Sequence, residues 1–144
     1  MEKFEVPIQI RWADIDANAH LRHSAYYDYG ASMRMTALHK LGITLEKLKD
    51  ECLGPILFRE EALFRKEIKL EDHITIDIQL VKLKPNGQRW SLRHHIRKSD
   101  GTVAAIINID GAWMDIRKRK LAEPNEYMKS IWNDCPRSDD FSEL

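Results

Sequence analysis

Cysteine is scarce in this 144-residue chain, and Cys52 and Cys135 lie too far apart for any metal-binding or redox spacing. They read as reduced thiols, the state expected in the cytoplasm. No apolar run approaches the ~20 residues that a membrane-spanning helix needs. The opening MEKFEVPIQIRW has no basic segment leading into an apolar one, so no secretory signal is expected there. Net charge is missing too, because 23 Lys and Arg balance 23 Asp and Glu. A neutral chain exerts no bulk attraction on nucleic acid or an anionic membrane, and neither is expected as a partner. Any anionic ligand has to be held by local groups. Repeats, low-complexity tracts and Pro/Gly/Ser-rich linkers are also lacking. What remains is a composition of 43% hydrophobic and 32% charged residues, that of a globular chain long enough for one core. The expectation is one domain over 1–135 and a frayed acidic tail over 136–144.

Residues 4–12 alternate at period two through Val6, Ile8 and Ile10, which predicts a first strand. Residues 14–20 break the pattern as a loop. From 24 to 41 the period changes: Tyr26, Gly30, Met33, Ala37 and Leu41 fall on one helical face, with Ser24 placed to cap the start and Gly42 the end. Gly30 inside that helix suggests that another backbone passes close by. A short helix over 44–51 follows. Strands are expected at 56–68, 73–84, 88–98 and 102–116, with Pro85-Asn86-Gly87 and Asp100-Gly101 as hairpin turns. The strand at 102–116 is apolar on both faces near its middle, so it should be central and covered on both sides. Pro124 is expected to open a last helix through Trp132. One helix must then cover an antiparallel sheet of about five strands. Such a sheet keeps open edges that a second copy of the chain would close.

The chemistry concentrates in Arg11-Trp-Ala-Asp-Ile-Asp-Ala-Asn-Ala-His20, between the first strand and the helix. Free amides at a helix start, with the helix dipole, can bind a developing oxyanion. A carboxylate in the loop just before them can attack a carbonyl or activate water there.

This segment resembles the 4-hydroxybenzoyl-CoA thioesterase family of hotdog proteins. Their signature has two aspartates two residues apart, then glycine, histidine, an apolar residue and asparagine, with tyrosine downstream. Here it reads Asp14-Ile-Asp16-Ala-Asn18-Ala19-His20-Leu21-Arg22, with Tyr26 or Tyr27 downstream and Arg34 further on. The resemblance covers nearly the whole chain. It implies an α+β hotdog fold, a long antiparallel sheet wrapped around a central helix, and hydrolysis of an acyl-CoA without metal or organic cofactor. It further implies Asp16 as nucleophile or general base, and an oxyanion site on the amides of His23 to Tyr26. His20 is its companion, either orienting the loop or acting as acid or base. Asp14, Asn18, His23, Ser24, Tyr26 and Tyr27 are the candidate substrate contacts. The expected assembly is a homodimer or homotetramer. Two positions depart from the signature: Ala19 stands for glycine, and Arg22 for asparagine. Either retunes substrate choice or marks a member that holds acyl-CoA without cleaving it. An acyl carrier protein as thioester donor is the other alternative. A hydratase is disfavoured because that class places its histidine and carboxylate elsewhere.

Blander readings stand beside these. Asp16 is also a turn residue, and Asp14 suits a structural bond to Arg11 or loop amides. His20 and His23 precede the helix, where ligand geometry is not imposed, so no metal is expected. His94 and His95 are strand neighbours that face opposite ways and cannot chelate together. Glu60 and Glu61 read as a solvated strand face. Arg117 to Lys120 reads as a solvated turn, with coenzyme A phosphate as its less favoured use.

Overall fold

The computed structural model describes residues 4–144. Strand β1 is Glu5–Ile8. It stops short of the expected residue 12 because Asp14 Oδ2 accepts from the backbone N–H of Arg11 at 3.1 Å and turns Trp12–Asp14 into one 3-10 turn. Helix α1 is Ala25–Lys40, followed by α2, Leu45–Asp50, which Thr44 caps by accepting from Lys47 N at 3.0 Å. Then come β2 (Leu53–Phe64), β3 (Ile74–Asp77), β4 (Gln79–Leu83), β5 (Arg89–Lys98), β6 (Val103–Asp115), β7 (Lys120–Leu121), α3 (Glu126–Asp134) and β8 (Arg137–Glu143). Asn125 caps α3 by accepting from Met128 N at 2.9 Å.

All the strands join one sheet. β6 is central, antiparallel to β2 on one side and β5 on the other. β5 then pairs with both β3 and β4, β3 with β1, and β4 with β8. The single strand expected over 73–84 is thus two. Its register against β5 does not slip at the break, since Ile76 faces Ile96 and Gln79 faces Arg93. The interruption is chemical: His95 N donates to Asp77 Oδ1 at 2.6 Å, so a side chain replaces the ladder's own carbonyl.

The 136–144 segment is not a frayed tail. β8 lies parallel to β4, Leu80 N donates to Pro136 O at 2.7 Å, and Arg93 grips both oxygens of Asp140 at 3.0 and 3.1 Å.

Helix α1 packs on the inner face, burying Ala25, Tyr26, Gly30, Met33 and Ala37. These share one core with Ile76, Ile96, Ile107 and Ile109, the inward residues of β3, β5 and β6. Gly30 makes room for side chains rather than for a backbone: a Cβ there would sit 3.2 Å from Arg34 Nη1 and 3.4 Å from His94 Cδ2. The outer face of the sheet is polar. Asp110 accepts from Ser91 Oγ and Arg59 Nε, both at 2.7 Å, and Arg93 Nε donates to Asn108 at 3.1 Å. No helix among the described residues is long and apolar enough to cross a membrane.

Candidate active site

The loop between β1 and α1 is a closed structure. Ile15 and Leu21 form an antiparallel bridge, Asp16 N donates to His20 O at 2.8 Å, and Ala19 N donates to Asp16 O at 3.0 Å. The turn this makes needs a left-handed residue, and Ala19 supplies it with φ 64°. Alanine therefore occupies the conformation that glycine adopts without strain.

Asp16 is exposed and only half engaged. Its Oδ1 accepts from the backbone N–H of Asn18 at 2.8 Å and of His20 at 3.3 Å. Oδ2 has no hydrogen-bond partner among the described residues. The carboxylate opens onto a depression of about 340 Å³, lined by Asp16, His20, His23, Tyr26 and, from the far end of β2, Phe64 to Glu67. Tyr26 meets Phe64 edge-on with ring centroids 4.9 Å apart. Burial, and secondarily the charge of Asp16, push the Tyr26 phenol's pKa up, so this hydroxyl stays neutral. His20 Nε2 pairs with the Glu67 carboxylate across the depression and touches Asp16 only through its backbone.

His23 and Tyr26, on either side of the start of α1, line this space. Ser24 occupies the cap position but makes no side-chain cap bond. Its hydroxyl is engaged by Arg22 Nη1 instead. Among the first amides, that of Ala25 is used, donating to Arg22 O at 3.0 Å. Arg22, where the family signature has asparagine, is a strut: its guanidinium also reaches Asp14 at 3.5 Å and Asp28 at 3.4 Å.

The candidate contacts thus separate into two groups. Asp16, His20, His23 and Tyr26 converge on the depression, while Asp14, Asn18, Ser24 and Tyr27 are not among its lining. Asp14 is buried behind the loop, where Arg11 Nη2 (2.8 Å), Arg11 N (3.1 Å) and the Tyr29 hydroxyl (2.7 Å) all donate to it. Arg11 first, and Tyr29 after it, hold its pKa down at about 2 against the opposing effect of burial. These bonds brace the loop from behind. Tyr27 packs against the core, and Asn18 offers its backbone to Asp16.

Residues 64–67 escaped the sequence reading, since only the fold brings the end of β2 beside the loop. A second polar centre escaped it as well. Arg34 Nη1 donates to His94 Nε2 at 3.1 Å, and Arg34 Nη2 lies 3.6 Å from Glu60. Glu61 accepts from Asn108 at 3.0 Å and pairs with Arg59 at 3.2 Å. Neither glutamate is simply a solvated strand residue. The 117–120 run is a turn, its Arg117 and Lys118 amides both donating to Asp115 Oδ1 at 2.9 Å.

Residues 10–131 match the family model of the thioesterase-like superfamily. The chain belongs to that superfamily. It is a hotdog protein, and its class is that of the thioester hydrolases. No curated protein sequence matches it. Solved structures that do match share the fold at low identity. A hypothetical protein of Staphylococcus aureus in complex with CoA superposes with a TM-score of 0.86 at 16% identity, over 95% of this chain and 87% of that one. A 1,4-dihydroxy-2-naphthoyl-CoA thioesterase from Synechocystis gives 0.81 at 12% identity, over 92% and 97%. A gentisyl-coenzyme A thioesterase gives 0.78 at 20%, over 89% and 98%.

Proposed function

We propose that this chain hydrolyses acyl-CoA thioesters with Asp16 as its catalytic carboxylate. The observation that carries the reading is the half-anchored carboxylate. Asp16 Oδ1 is tied to two loop amides, while Oδ2 is free beside the uncapped start of α1. A thioester carbonyl placed there has its oxygen toward the amides from His23 to Tyr26 other than that of Ala25, which already donates to Arg22 O, and they take up the developing negative charge. Oδ2 then adds to the carbonyl carbon, or takes a proton from a water that does. The C–S bond breaks, coenzyme A leaves as thiolate, and the free acid follows directly or after hydrolysis of the acyl-aspartyl anhydride. His20, held by Glu67, orients the loop through its own amide. The chemistry requires no metal or organic cofactor.

The acyl group lies between α1 and the sheet. The reading favours catalysis over mere binding, because the loop keeps a left-handed turn at Ala19 and the same departure that removed glycine has not displaced Asp16. A homodimer fits the exposed side of β2. Among the described residues this 12-residue strand pairs only with β6, and Phe58 and Phe64 are each 54% exposed along it.

Thiol release measured over a panel of acyl-CoAs tests the reading, with Asp16→Asn and Asp16→Ala. Asparagine keeps an Oδ1 for the loop amides and removes the charge. The expected loss in kcat is roughly a thousandfold for both variants. Equal, slow release by wild type and variants would sink the mechanism. Matched acyl carrier protein thioesters separate the two donor classes, and sedimentation velocity reads the assembly.

A further inference from the structure

Residues 57–64 of β2 read Leu-Phe-Arg-Glu-Glu-Ala-Leu-Phe, an apolar pair at each end of a mostly charged middle. Leu57 and Leu63 are 41% exposed, and Phe58 and Phe64 54%. The far edge of β2 is unpaired among the described residues. The strand also carries a bulge. Leu57 faces Gly111 and Arg59 faces Asp110, so Phe58 is an extra residue that shares a rung with Arg59. Leu57, Glu60, Ala62 and Phe64 turn inward, where Glu60 meets Arg34 and Phe64 meets Tyr26, both of α1. Arg59, Glu61 and Leu63 turn outward, where Arg59 meets Asp110. With Phe58 and Arg59 counted as one rung, Glu61 lies midway between Leu57 and Phe64. A second copy laid antiparallel on this edge about Glu61 puts Leu57 against that copy's Phe64, Glu60 against Ala62, and Phe58 with Arg59 against Leu63. Inward residues meet inward ones at every rung, as a two-fold axis through a sheet requires. Glu61 meets its own counterpart, with Arg59 at 3.2 Å balancing each charge.

This pairing joins two spaces that are apart within one chain. Phe64 lines the Asp16 depression, while Leu57 lines a cavity of about 230 Å³ between the second half of α1, the sheet and α3. Across the seam, Leu57 of each copy abuts Phe64 of the other, so each depression adjoins the other copy's cavity. That cavity is apolar. Met35, Leu38, Leu92 and Ile131 are among its walls, and Arg34 is the one charged residue among the described ones that line it. Arg34 turns its guanidinium to His94 and Glu60. The indole nitrogens of Trp90, Trp113 and Trp132 are closed off, so these rings present carbon to the space. Burial keeps the Cys135 thiol protonated, its pKa pushed up to about 12.

We propose that the acyl group cleaved at Asp16 is an unbranched aliphatic chain of about ten to fourteen carbons, its tail held in the apolar cavity of a second copy docked along β2. An apolar cavity of about 150 Å³ holds a six-carbon ring, so one of 230 Å³ has room for roughly eight or nine carbons. The chain first crosses one strand spacing, ~4.8 Å or about four carbon–carbon bonds. A hydroxylated aromatic acyl group fits poorly, because the walls offer its hydroxyls no free partner. The proposal rests on the thioesterase reading for the reaction at Asp16.

Thiol release from butanoyl- through octadecanoyl-CoA, with benzoyl- and dihydroxybenzoyl-CoA, tests the chain class. The expected kcat/KM rises about threefold per methylene to an optimum near dodecanoyl-CoA and is lower for both aromatic esters. Ile131→Trp, which fills the α3 end of the cavity away from β2, should move the optimum down by about two carbons. An optimum at a short or aromatic acyl group overturns the proposal, as does an optimum that Ile131→Trp leaves in place. Co-expression of Asp16→Asn with Ile131→Trp tests the second copy. Neither variant alone should turn over tetradecanoyl-CoA well. The mixed dimer regains one complete site, giving about a quarter of the wild-type rate at random pairing. No gain over the two variants measured separately places the tail in the same chain as Asp16 and overturns the proposal. Cleavage with the wrong chain profile sinks this proposal alone, whereas a wild type that cleaves no acyl-CoA sinks the thioesterase reading with it.

Discussion

Arg34 Nη1 donates to His94 Nε2 at 3.1 Å, and this contact fixes the tautomer of a fully buried histidine. Because Nε2 accepts, the ring proton is on Nδ1, which donates to Asp77 O at 2.8 Å. Both ring nitrogens are satisfied only while the imidazole is neutral. Protonation would turn an N–H toward a guanidinium N–H, inside the core. Burial is the main cause of the depressed pKa, about 4, with Arg34 and His95 adding to it and the Asp77 carbonyl opposing it.

Stability should therefore fall with acid in a defined window. The unfolded chain binds a proton at His94 near pH 6.5, while the folded chain refuses it until about 4. A depressed pKa makes the contribution complete above pH 6.5 and lets it drain away as pH falls toward 4. Its size is about 3 kcal/mol as an upper bound. Urea unfolding at steps across that window, in wild type and His94→Gln, reads it. The variant starts less stable but should lose less between the two limits. Parallel slopes would show that His94 is not held neutral.

Why some of this was legible in the chain and some was not follows from the range of the interactions. Tyr26, Met33 and Ala37 recur at helical spacing, so α1 could be placed to within a residue at each end. Asn86-Gly87 and Asp100-Gly101 encode their own turns. Asp16 was visible because its partners, Asn18 and His20, are two and four residues away. The break at Asp77 was not, since the acceptor swap that causes it involves His95 on another strand. β8 hides for a different reason. Ser-Asp-Asp-Phe-Ser has the composition of a loose end, and its order comes from Arg93 and the open edge of β4. The bond from Asp14 to Arg11 was legible because it spans three residues, but the cover from Tyr29, fifteen residues on, was not.

Ala19→Gly should stabilise the fold. The residue has φ 64°, a region that costs an L side chain roughly 1 kcal/mol and glycine almost nothing. Some of that gain is returned as extra freedom in the unfolded chain, leaving an expected net of about 0.5 kcal/mol. A thermal midpoint raised by a degree or two is the readout, with the Asp16 loop unchanged and activity conserved. A lowered midpoint would mean that the loop does not hold this turn.

Gly111→Ala should be among the most damaging small substitutions in the protein. Gly111 lies in central β6, opposite Trp90 and Leu57. A Cβ there would fall 2.4 Å from Trp90 Cη2 and 2.6 Å from Ile56 O. The indole could tilt, but the backbone carbonyl of the neighbouring strand cannot move without opening the ladder. The expected cost is about 3 kcal/mol or more, measured as a shift in urea midpoint or as loss of soluble protein. Trp90→Phe should not restore it, because the carbonyl clash remains. Full rescue by Trp90→Phe would contradict the packing.

Asp14→Asn and Asp16→Asn, two residues apart, should fail in opposite ways. Asp14 is 1% exposed and receives Arg11 and Tyr29, so asparagine gives up the buried charge that holds the exposed Arg11 guanidinium and the Tyr29 hydroxyl. The depressed pKa, about 2 against an ordinary 3.8, places the contribution at roughly 2 kcal/mol, present above pH 3.8 and lost as pH falls toward 2. Asp16 is exposed, and its loop bonds survive in the amide, so its replacement should cost less than about 1 kcal/mol. Activity should divide the other way. Asp14 is not among the groups lining the depression, and its variant should retain most of its kcat at a temperature where it is folded. The Asp16 variant should be fully folded and nearly inert. Thermal melts and thiol-release kinetics on the same two preparations measure both axes. An Asp14 variant that is stable but inactive would move the reacting carboxylate from residue 16 to residue 14.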